Sequence, residues 1–165
     1  MKHTISVIVE NKFGVLARVS GLFSSRGYNI DSLTVGETND PKVSRMTIVV
    51  KGDDRILDQV MKQLDKLVDV IEVTDYKEGS YVDREIAMIK VTCDSKTRTE
   101  ILEIADVFRA KAIDLGFISM ILQITGTQNK VDAFIQLIKP YGIIELARTG
   151  KVAMMRELSD KRDDN

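Results

Sequence analysis

The segment Asn11–Leu16 contains residue types that could bind a small anion. A run rich in β-branched residues ends at Val9, and apolar residues at helical spacing begin at Val15, so this loop should lie at the start of a helix. The first backbone N–H groups of a helix have no intrahelical acceptor, and the helix dipole adds partial positive charge there. Because Gly14 has no Cβ, an anion could reach these donors closely. The segment therefore predicts a cradle for a carboxylate.

Two asparagines could complete this site. The amide of Asn11 can accept from an ammonium group or donate to a carboxylate, and Asn29 lies just past the end of the same predicted helix. A helix of roughly twelve residues is about 18 Å long, so one chain cannot bring its own Asn11 and Asn29 to one small ligand. If both contact the ligand, we expect them to come from different chains at a dimer interface, and we expect the ligand to tighten dimerisation.

An ordinary turn is the simpler interpretation of the same residues. Asn and Gly are common in turns, and Gly14 could serve only a tight bend between strand and helix. Spacing and composition alone favour this interpretation, and they leave the ligand hypothesis open.

Composition argues against several other kinds of site. The 165 residues include one histidine, His3, and one cysteine, Cys93, so we expect no metal site, no disulfide and no histidine-dependent triad. The net charge of −1 lacks the basic excess that nucleic-acid or anionic-membrane binding favours. We expect neither a signal peptide nor a transmembrane segment, and the single cysteine, expected in the core, fits the reducing cytoplasm.

Independent catalysis is not expected either. The carboxylate pair Asp53–Asp54 lies at a predicted helix start, and Asp163–Asp164 lies in a charged tail. Ser24–Ser25 has no histidine evidently placed to act as its base, and no glycine-rich phosphate loop occurs. We therefore predict no catalytic residue.

Hydrophobic periodicity predicts the same order of elements twice. Helices are predicted from Val15 to a stop at Gly27, after an Asp53 cap, after a Thr97–Glu100 capping box, and from an Asn129 cap to Pro140. Strands are predicted at Thr4–Val9, Ile30–Val35, Arg45–Lys51, Val70–Asp75, Glu85–Val91, Ile113–Gly116, Ile118–Gly126 and Ile143–Arg148. The sequence therefore predicts an α+β protein with two ferredoxin-like βαββαβ domains in tandem.

The predicted domains are residues 1–76 and 81–150, separated near Lys77–Ser80 and followed by a polar tail at 151–165. Within that tail, Arg156–Asn165 has no apolar period and is expected to be frayed or disordered. Only the first domain carries the glycine loop, since the matching segment of the second, Thr92–Thr97, has none. Each small domain should leave a sheet face or an edge strand uncovered, and a homodimer is the simplest solution.

Five stretches carry a resemblance to a known family. Ser6–Val19 resembles the opening of an ACT domain, the small-molecule-sensing module of amino-acid metabolism. Gly21–Val35 and Ser44–Val49, with Asp83–Ile86 and Glu145–Gly150, are similar to the small regulatory subunit of acetohydroxyacid synthase, also called acetolactate synthase. The resemblance covers essentially the whole chain apart from the charged tail.

This resemblance implies a non-catalytic regulatory subunit that forms a homodimer through its ACT domains. The partner would be the catalytic large subunit, which carries thiamine diphosphate, Mg²⁺ and FAD and makes the first committed intermediate of valine, leucine and isoleucine biosynthesis. We expect none of these cofactors on this chain. The chain would activate the large subunit and confer feedback inhibition, usually by valine, with leucine and isoleucine as alternatives.

The resemblance also implies the effector site. In the family the effector lies between two ACT domains, with its carboxylate on main-chain donors near the loop glycine. The residues that match one side are Asn11, Gly14, Val15 and Leu16, and those that match the facing side are Asn29 and Ile30. Phe13 stands where family members often have proline or a small residue, so the preferred effector stays open. The second half matches the C-terminal domain of the family, which is expected to contact the catalytic subunit.

Two other functions remain as alternatives. A free-standing ACT regulator would sense an amino acid and act on a transcriptional or signalling partner. A scaffolding subunit would bind the enzyme through a loop that binds no ligand. If this chain captures the catalytic subunit from the source cell, the free-standing regulator is disfavoured relative to the regulatory subunit. Calorimetry with branched-chain amino acids tests the scaffolding alternative.

Overall fold

The computed structural model describes residues 2–76 and 80–157, which divide into two compact units. One unit comprises the described residues up to Val82 together with those from Lys151 onward, and the other runs from Asp83 to Gly150. Most of the predicted boundary, residues 77–79, lies outside the described residues.

The first unit contains one four-stranded antiparallel sheet and two helices. Its elements are β1 (Lys2–Glu10), α1 (Val15–Ser25), β2 (Ile30–Glu37), β3 (Val43–Lys51), α2 (Asp54–Leu64) and β4 (Val70–Tyr76). The strand order is β2-β3-β1-β4, so β1 and β3 are central and β2 and β4 lie at the edges. Residues Lys2 to Glu10 of β1 pair with Lys51 to Val43 of β3 without interruption.

The second unit repeats this order of elements. It is built from β5 (Tyr81–Thr92) from Asp83 onward, α3 (Arg98–Val107), β6 (Lys111–Leu115), β7 (Ser119–Gly126), α4 (Gln128–Ile138), a 3-10 turn (Lys139–Tyr141) and β8 (Ile143–Arg148). Its strand order is β6-β7-β5-β8. The predicted α+β class with two βαββαβ repeats is therefore confirmed.

A ninth strand lies in the segment predicted as a polar tail. Strand β9 (Val152–Met155) pairs with β5, and its Ala153 is buried. The backbone N–H of Arg156 donates to Ser80 O at 2.9 Å, which continues this pairing. Describing the segment from residue 151 onward as polar was wrong here, because four consecutive apolar residues form a strand. Residues 158–165 lie outside the described residues.

Each unit has its own hydrophobic core between its sheet and its two helices. In the first, alternate residues of β1 and β3 meet helix residues at helical spacing: Ile5, Val7, Val9, Met46, Ile48 and Val50 against Val15, Val19, Phe23, Leu57, Val60 and Leu64. In the second, β5 and β7 supply Ala87, Ile89, Val91, Met120, Leu122 and Ile124 in the same way. Cys93 is buried in this second core, as predicted. The periods of two and 3.6 residues account for both cores.

The ends of the first two helices follow the predicted signals. Gly27 adopts φ +70°, its N–H donates to Ser24 O at 3.2 Å, and the N–H of Tyr28 donates to Phe23 O at 3.0 Å. These are the two hydrogen bonds of a glycine-ended helix. At the start of α2, the carboxylate of Asp53 accepts from the N–H of Ile56 at 2.9 Å.

Two predicted caps in the second half are wrong. The side chain of Thr97 caps no N–H of α3, because the preceding turn is held by Asp94, whose carboxylate accepts from the N–H groups of Lys96 and Thr97, both at 2.8 Å. Helix α4 begins at Gln128, so Asn129 lies inside its first turn and Thr127 precedes it. That helix ends before Pro140, as predicted.

The Asp94 turn should make the stability of the second unit depend on pH. Hydrogen bonds from the N–H of Thr97, the N–H of Lys96 and the Thr97 hydroxyl lower the pKa of Asp94 from its usual 3.8. Since the pKa is lower in the folded chain, the stabilisation is present above the usual value and is lost as pH falls through the folded value. We expect Asp94→Asn to lower the melting temperature at pH 7, and the difference from wild type to shrink below pH ~4.

Thermal melts from pH 7 to pH 3 measure this effect. Asp106→Asn on the exposed side of α3 is the matched control, and its difference from wild type should not follow the same profile. A melting difference for Asp94→Asn that is constant with pH would contradict the assignment.

Candidate functional site

The segment Asn11–Leu16 connects β1 to α1, and Gly14 occupies the residue before the first helical turn. Gly14 has φ +84° and ψ −5°, the left-handed region in which most other residues are strained. A Cβ added there would contact no atom of the described residues within 4 Å. The backbone conformation therefore favours glycine, and the space beside it is open enough for a ligand to approach.

The start of α1 leaves two backbone donors without partners among the described residues. The N–H of Arg18 donates to Gly14 O at 3.0 Å, and the N–H of Val15 makes a long contact of 3.4 Å to Lys12 O. Among the described residues, no acceptor is hydrogen-bonded to the N–H groups of Leu16 and Ala17, and no side chain caps the helix. The first turn contains no acidic residue. Helix α2 differs in two of these respects, because the Asp53 side chain caps it and Asp54 lies in its first turn.

Asn11 is held in place by its donor groups. Its Nδ2 donates to Glu37 Oε1 at 3.1 Å and to Pro41 O at 2.9 Å, and its backbone N–H donates to Lys42 O at 2.7 Å. No donor among the described residues reaches its Oδ1. Asn11 therefore keeps an acceptor that could receive a hydrogen bond from an ammonium group, while its donors fix the loop against the end of β2.

An ion pair that the sequence did not indicate supports the same loop. Arg18, on the first turn of α1, pairs with the buried carboxylate of Asp69, and Asp69 O accepts from the N–H of Glu10 at 2.9 Å. Arg18 and Asp69 are 51 residues apart, so no local pattern could have linked them. On the other side of the loop, the pair with Glu10 raises the pKa of Lys12, first through their hydrogen bond.

Asn29 and Ile30 lie far from the loop within one chain. Ile30 begins β2 opposite Val50, and Asn29 precedes it with its Nδ2 3.4 Å from Asp31 Oδ1. Asn11, in contrast, is bonded to Glu37 at the other end of this eight-residue strand. At roughly 3.3 Å per residue, the two ends of β2 are about 23 Å apart. The structure therefore brings together four of the predicted residues (Asn11, Gly14, Val15 and Leu16) and separates the other two from them.

Two further properties of the described chain bear on function. No set of three or more His, Cys, Asp or Glu side chains in residues 2–76 and 80–157 is arranged to hold a metal ion. Over the same ranges, every helix is too short or too polar to cross a membrane.

Comparison with protein families assigns both halves of the chain to known families. Residues 5–72 match the family described as an AHAS small subunit-like ACT domain, and residues 84–157 match the family described as the small subunit of acetolactate synthase. The first unit is therefore an ACT domain, and the chain is an ACT-domain protein with a second, family-specific domain.

Individual relatives match this chain over almost its full length and define its family more narrowly. The chain is 56% identical to the probable acetolactate synthase small subunit of Archaeoglobus fulgidus, over 94% of this chain and 98% of that one. It is 48% identical to the acetolactate synthase small subunit of Aquifex aeolicus, over 99% and 86% respectively. The crystal structure of the acetolactate synthase small subunit from Thermotoga maritima is similar with a TM-score of 0.90 at 44% identity, covering 96% of this chain and 99% of that chain. The chain belongs to the acetolactate synthase small-subunit family.

Proposed function

We propose that this chain is the regulatory subunit of acetolactate synthase and is not itself catalytic. It binds the catalytic large subunit in the cytoplasm, activates it, and confers feedback inhibition by a branched-chain amino acid. Valine is the first candidate effector, and leucine and isoleucine are the alternatives. Thiamine diphosphate, Mg²⁺ and FAD belong to the large subunit in this proposal.

The observation that carries the proposal is the uncapped start of α1 beside Gly14 in the ACT domain. The unbonded N–H groups of Leu16 and Ala17 suit the carboxylate of an amino acid. The unused Oδ1 of Asn11 suits its ammonium group. Exposed apolar side chains at Phe13 and Leu16 lie in the same segment and could contact an aliphatic side chain.

The edge position of β2 supports a site shared between two chains. Strand β2 pairs with β3 on one side, and no described strand pairs with its other side. If two β2 strands pair antiparallel over their full length, Ile30 of one chain lies opposite the partner's Glu37. Because Glu37 is the residue that holds Asn11, this pairing brings Asn29 and Ile30 of each chain to the loop of the other. A homodimer through the ACT domains completes the site.

The energetics suit a metabolite sensor. Valine has about eight heavy atoms, so main-chain donors and two amides could give micromolar to millimolar affinity. To inhibit, the effector must bind one state of the complex more tightly than another, and a coupling of roughly 1–3 kcal/mol is typical. An effector that bound both states equally would regulate nothing.

The direct test measures acetolactate formation by the catalytic subunit with and without this chain, titrated with valine. We expect the chain to raise the rate and valine to lower it. Activity that is the same in all four conditions would reject the subunit assignment. Inhibition by leucine or isoleucine but not by valine would change only which amino acid is assigned as the effector.

Complementation tests the shared site. Asn11→Ala and Asn29→Ala should each weaken valine binding about tenfold, because each removes a hydrogen bond to a charged group. A mixed dimer of the two variants has one doubly altered site and one intact site. Roughly a quarter of all sites should therefore recover wild-type affinity after random mixing, as measured by calorimetry.

The matched control is each variant mixed with itself, for which no high-affinity sites are expected. Absence of recovery in the mixed sample, with dimer exchange verified, would mean that the two asparagines do not meet across a dimer.

A further inference from the structure

The face of the first sheet that points away from α1 and α2 carries several buried polar side chains. Residues of β1 and β3 that alternate with the core positions present hydroxyl groups here, and those of Thr4, Ser6 and Thr47 belong to nearly inaccessible residues. The Tyr81 hydroxyl lies 3.3 Å from Thr4 Oγ1, and the Tyr76 and Tyr81 rings stack with centroids 5.4 Å apart. Buried hydroxyl groups and stacked tyrosine rings therefore form an ordered polar region on this face.

A pocket of about 280 Å³ opens on this face. Arg45 and Glu72 are its charged residues, and Ile8, Met154 and Met155 are its aliphatic ones. Its volume is just below the usual range of about 300–1,000 Å³ for small-molecule sites. All of these residues belong to the first unit.

Arg45 has no counter-ion among the described residues. Its Nη1 donates to Ser6 Oγ at 3.2 Å and to the Tyr76 hydroxyl at 3.0 Å, and both of these partners are buried and neutral. No carboxylate among the described residues lies within 4.0 Å of its guanidinium group, and no described acceptor is bonded to its Nε or Nη2. A half-buried guanidinium that is held in one orientation and keeps unused donors is suited to bind a carboxylate.

Glu72 supplies the opposite charge without neutralising Arg45. Arg45 and Glu72 are both in register with Ile8, one from β3 and one from β4, so they flank Ile8 on the same face about 10 Å apart at Cα. Oε1 of Glu72 accepts from the Thr74 hydroxyl at 2.9 Å, and no described lysine or arginine lies within 4.0 Å of the carboxylate. The pocket thus offers a fixed cation and an anion on either side of an apolar floor.

We propose that this pocket is a second binding site, for a zwitterionic α-amino acid with an aliphatic side chain. The ligand carboxylate bonds to the unused guanidinium donors of Arg45, and its ammonium group bonds to Glu72. Its side chain contacts Ile8, Met154 and Met155. The site lies on the sheet face opposite the helices, so it is separate from the Gly14 loop and needs no residue from another chain.

Equilibrium dialysis with radiolabelled L-leucine tests the proposal on the full chain, alone and in the Gly14→Asp background. We expect a class of sites in both, which Arg45→Gln and Glu72→Gln each weaken about tenfold or more. Leucinamide, which lacks the carboxylate, and 4-methylpentanoate, which lacks the ammonium group, should compete at least about tenfold less well than unlabelled leucine. Arg55→Gln, on the exposed side of α2, is the matched control and should bind as the parent does.

Arg45→Lys gives a check on folding, because it keeps the charge but loses the planar pair of donors. It should recover part of the binding that Arg45→Gln loses, with an unchanged melting temperature. Two results would overturn the proposal: no leucine bound in the Gly14→Asp background, or leucine binding there that Arg45→Gln and Glu72→Gln leave intact. Either result leaves the proposed function of the Gly14 loop standing, since that loop is tested by its own variants.

Discussion

Gly14→Asp will give a chain that still activates the catalytic subunit and no longer responds to valine. The added carboxylate would lie beside the N–H groups of Leu16 and Ala17 that the proposed effector would use. Like charges about 4 Å apart near a protein surface repel by about 4 kcal/mol. A repulsion of this order should raise the valine concentration that gives half inhibition by at least about a hundredfold. Acetolactate formation titrated with valine measures the change.

The fold should tolerate this substitution. No Cβ contact within 4 Å opposes a side chain at Gly14, and an acidic group at the start of a helix is favourable. Asp and Asn also enter the left-handed region at lower cost than other residues. Gly14→Asn is therefore the matched control, since it has nearly the same shape and no charge. We expect it to shift the valine response by no more than about tenfold.

The two variants together separate charge from strain. Equal loss of inhibition in Gly14→Asp and Gly14→Asn would attribute the effect to backbone strain. Full valine sensitivity in Gly14→Asp would reject the loop as the effector site.

Phe23→Ala will lower the free energy of unfolding by about 3–5 kcal/mol, the usual cost of removing a buried aromatic side chain. Phe23 is fully buried in the core of the first unit, at the C-terminal end of α1. The same helix begins at the Gly14 loop, so a cavity there should also weaken the positioning of the backbone donors. Chemical denaturation measures stability, and calorimetry with valine measures binding.

Phe13→Ala is the natural control, because the same substitution is made ten positions earlier at a fully exposed side chain. We expect its free energy of unfolding to stay within about 0.5 kcal/mol of wild type. Equal stability losses at Phe13 and Phe23 would contradict the core described for this unit.

Local patterns predicted the elements well where one signal dominated. The strand predicted at Ile143–Arg148 has the predicted bounds, and Gly27 and Asp53 end and begin their helices as expected. Thr97 and Asn129 carried equally plausible cap signals, but Asp94 and the position of Thr127 determined the local structure instead. A cap signal gives a preference, and neighbouring groups decide between competing hydrogen bonds.

The candidate site was predictable only in its local part. The sequence places Gly14 at a helix start, but it gives no sign that Asn11 uses its donors on Glu37 and Pro41, which are 26 and 30 residues away. The pair of Arg18 with Asp69 and the pocket at Arg45 likewise depend on strand register and on contacts distant in sequence. Such features follow from tertiary structure, and periodicity carries no information about them.

The two hydrogen bonds from Asn11 to Glu37 and Pro41 join the loop to the far end of the edge strand. The loop is therefore mechanically connected to β2, the strand that would form the dimer interface. A change in the turn after β2 would then alter effector potency without touching the ligand, so the residues between Glu37 and Lys42 are where relatives could adjust their sensitivity while keeping the same pocket.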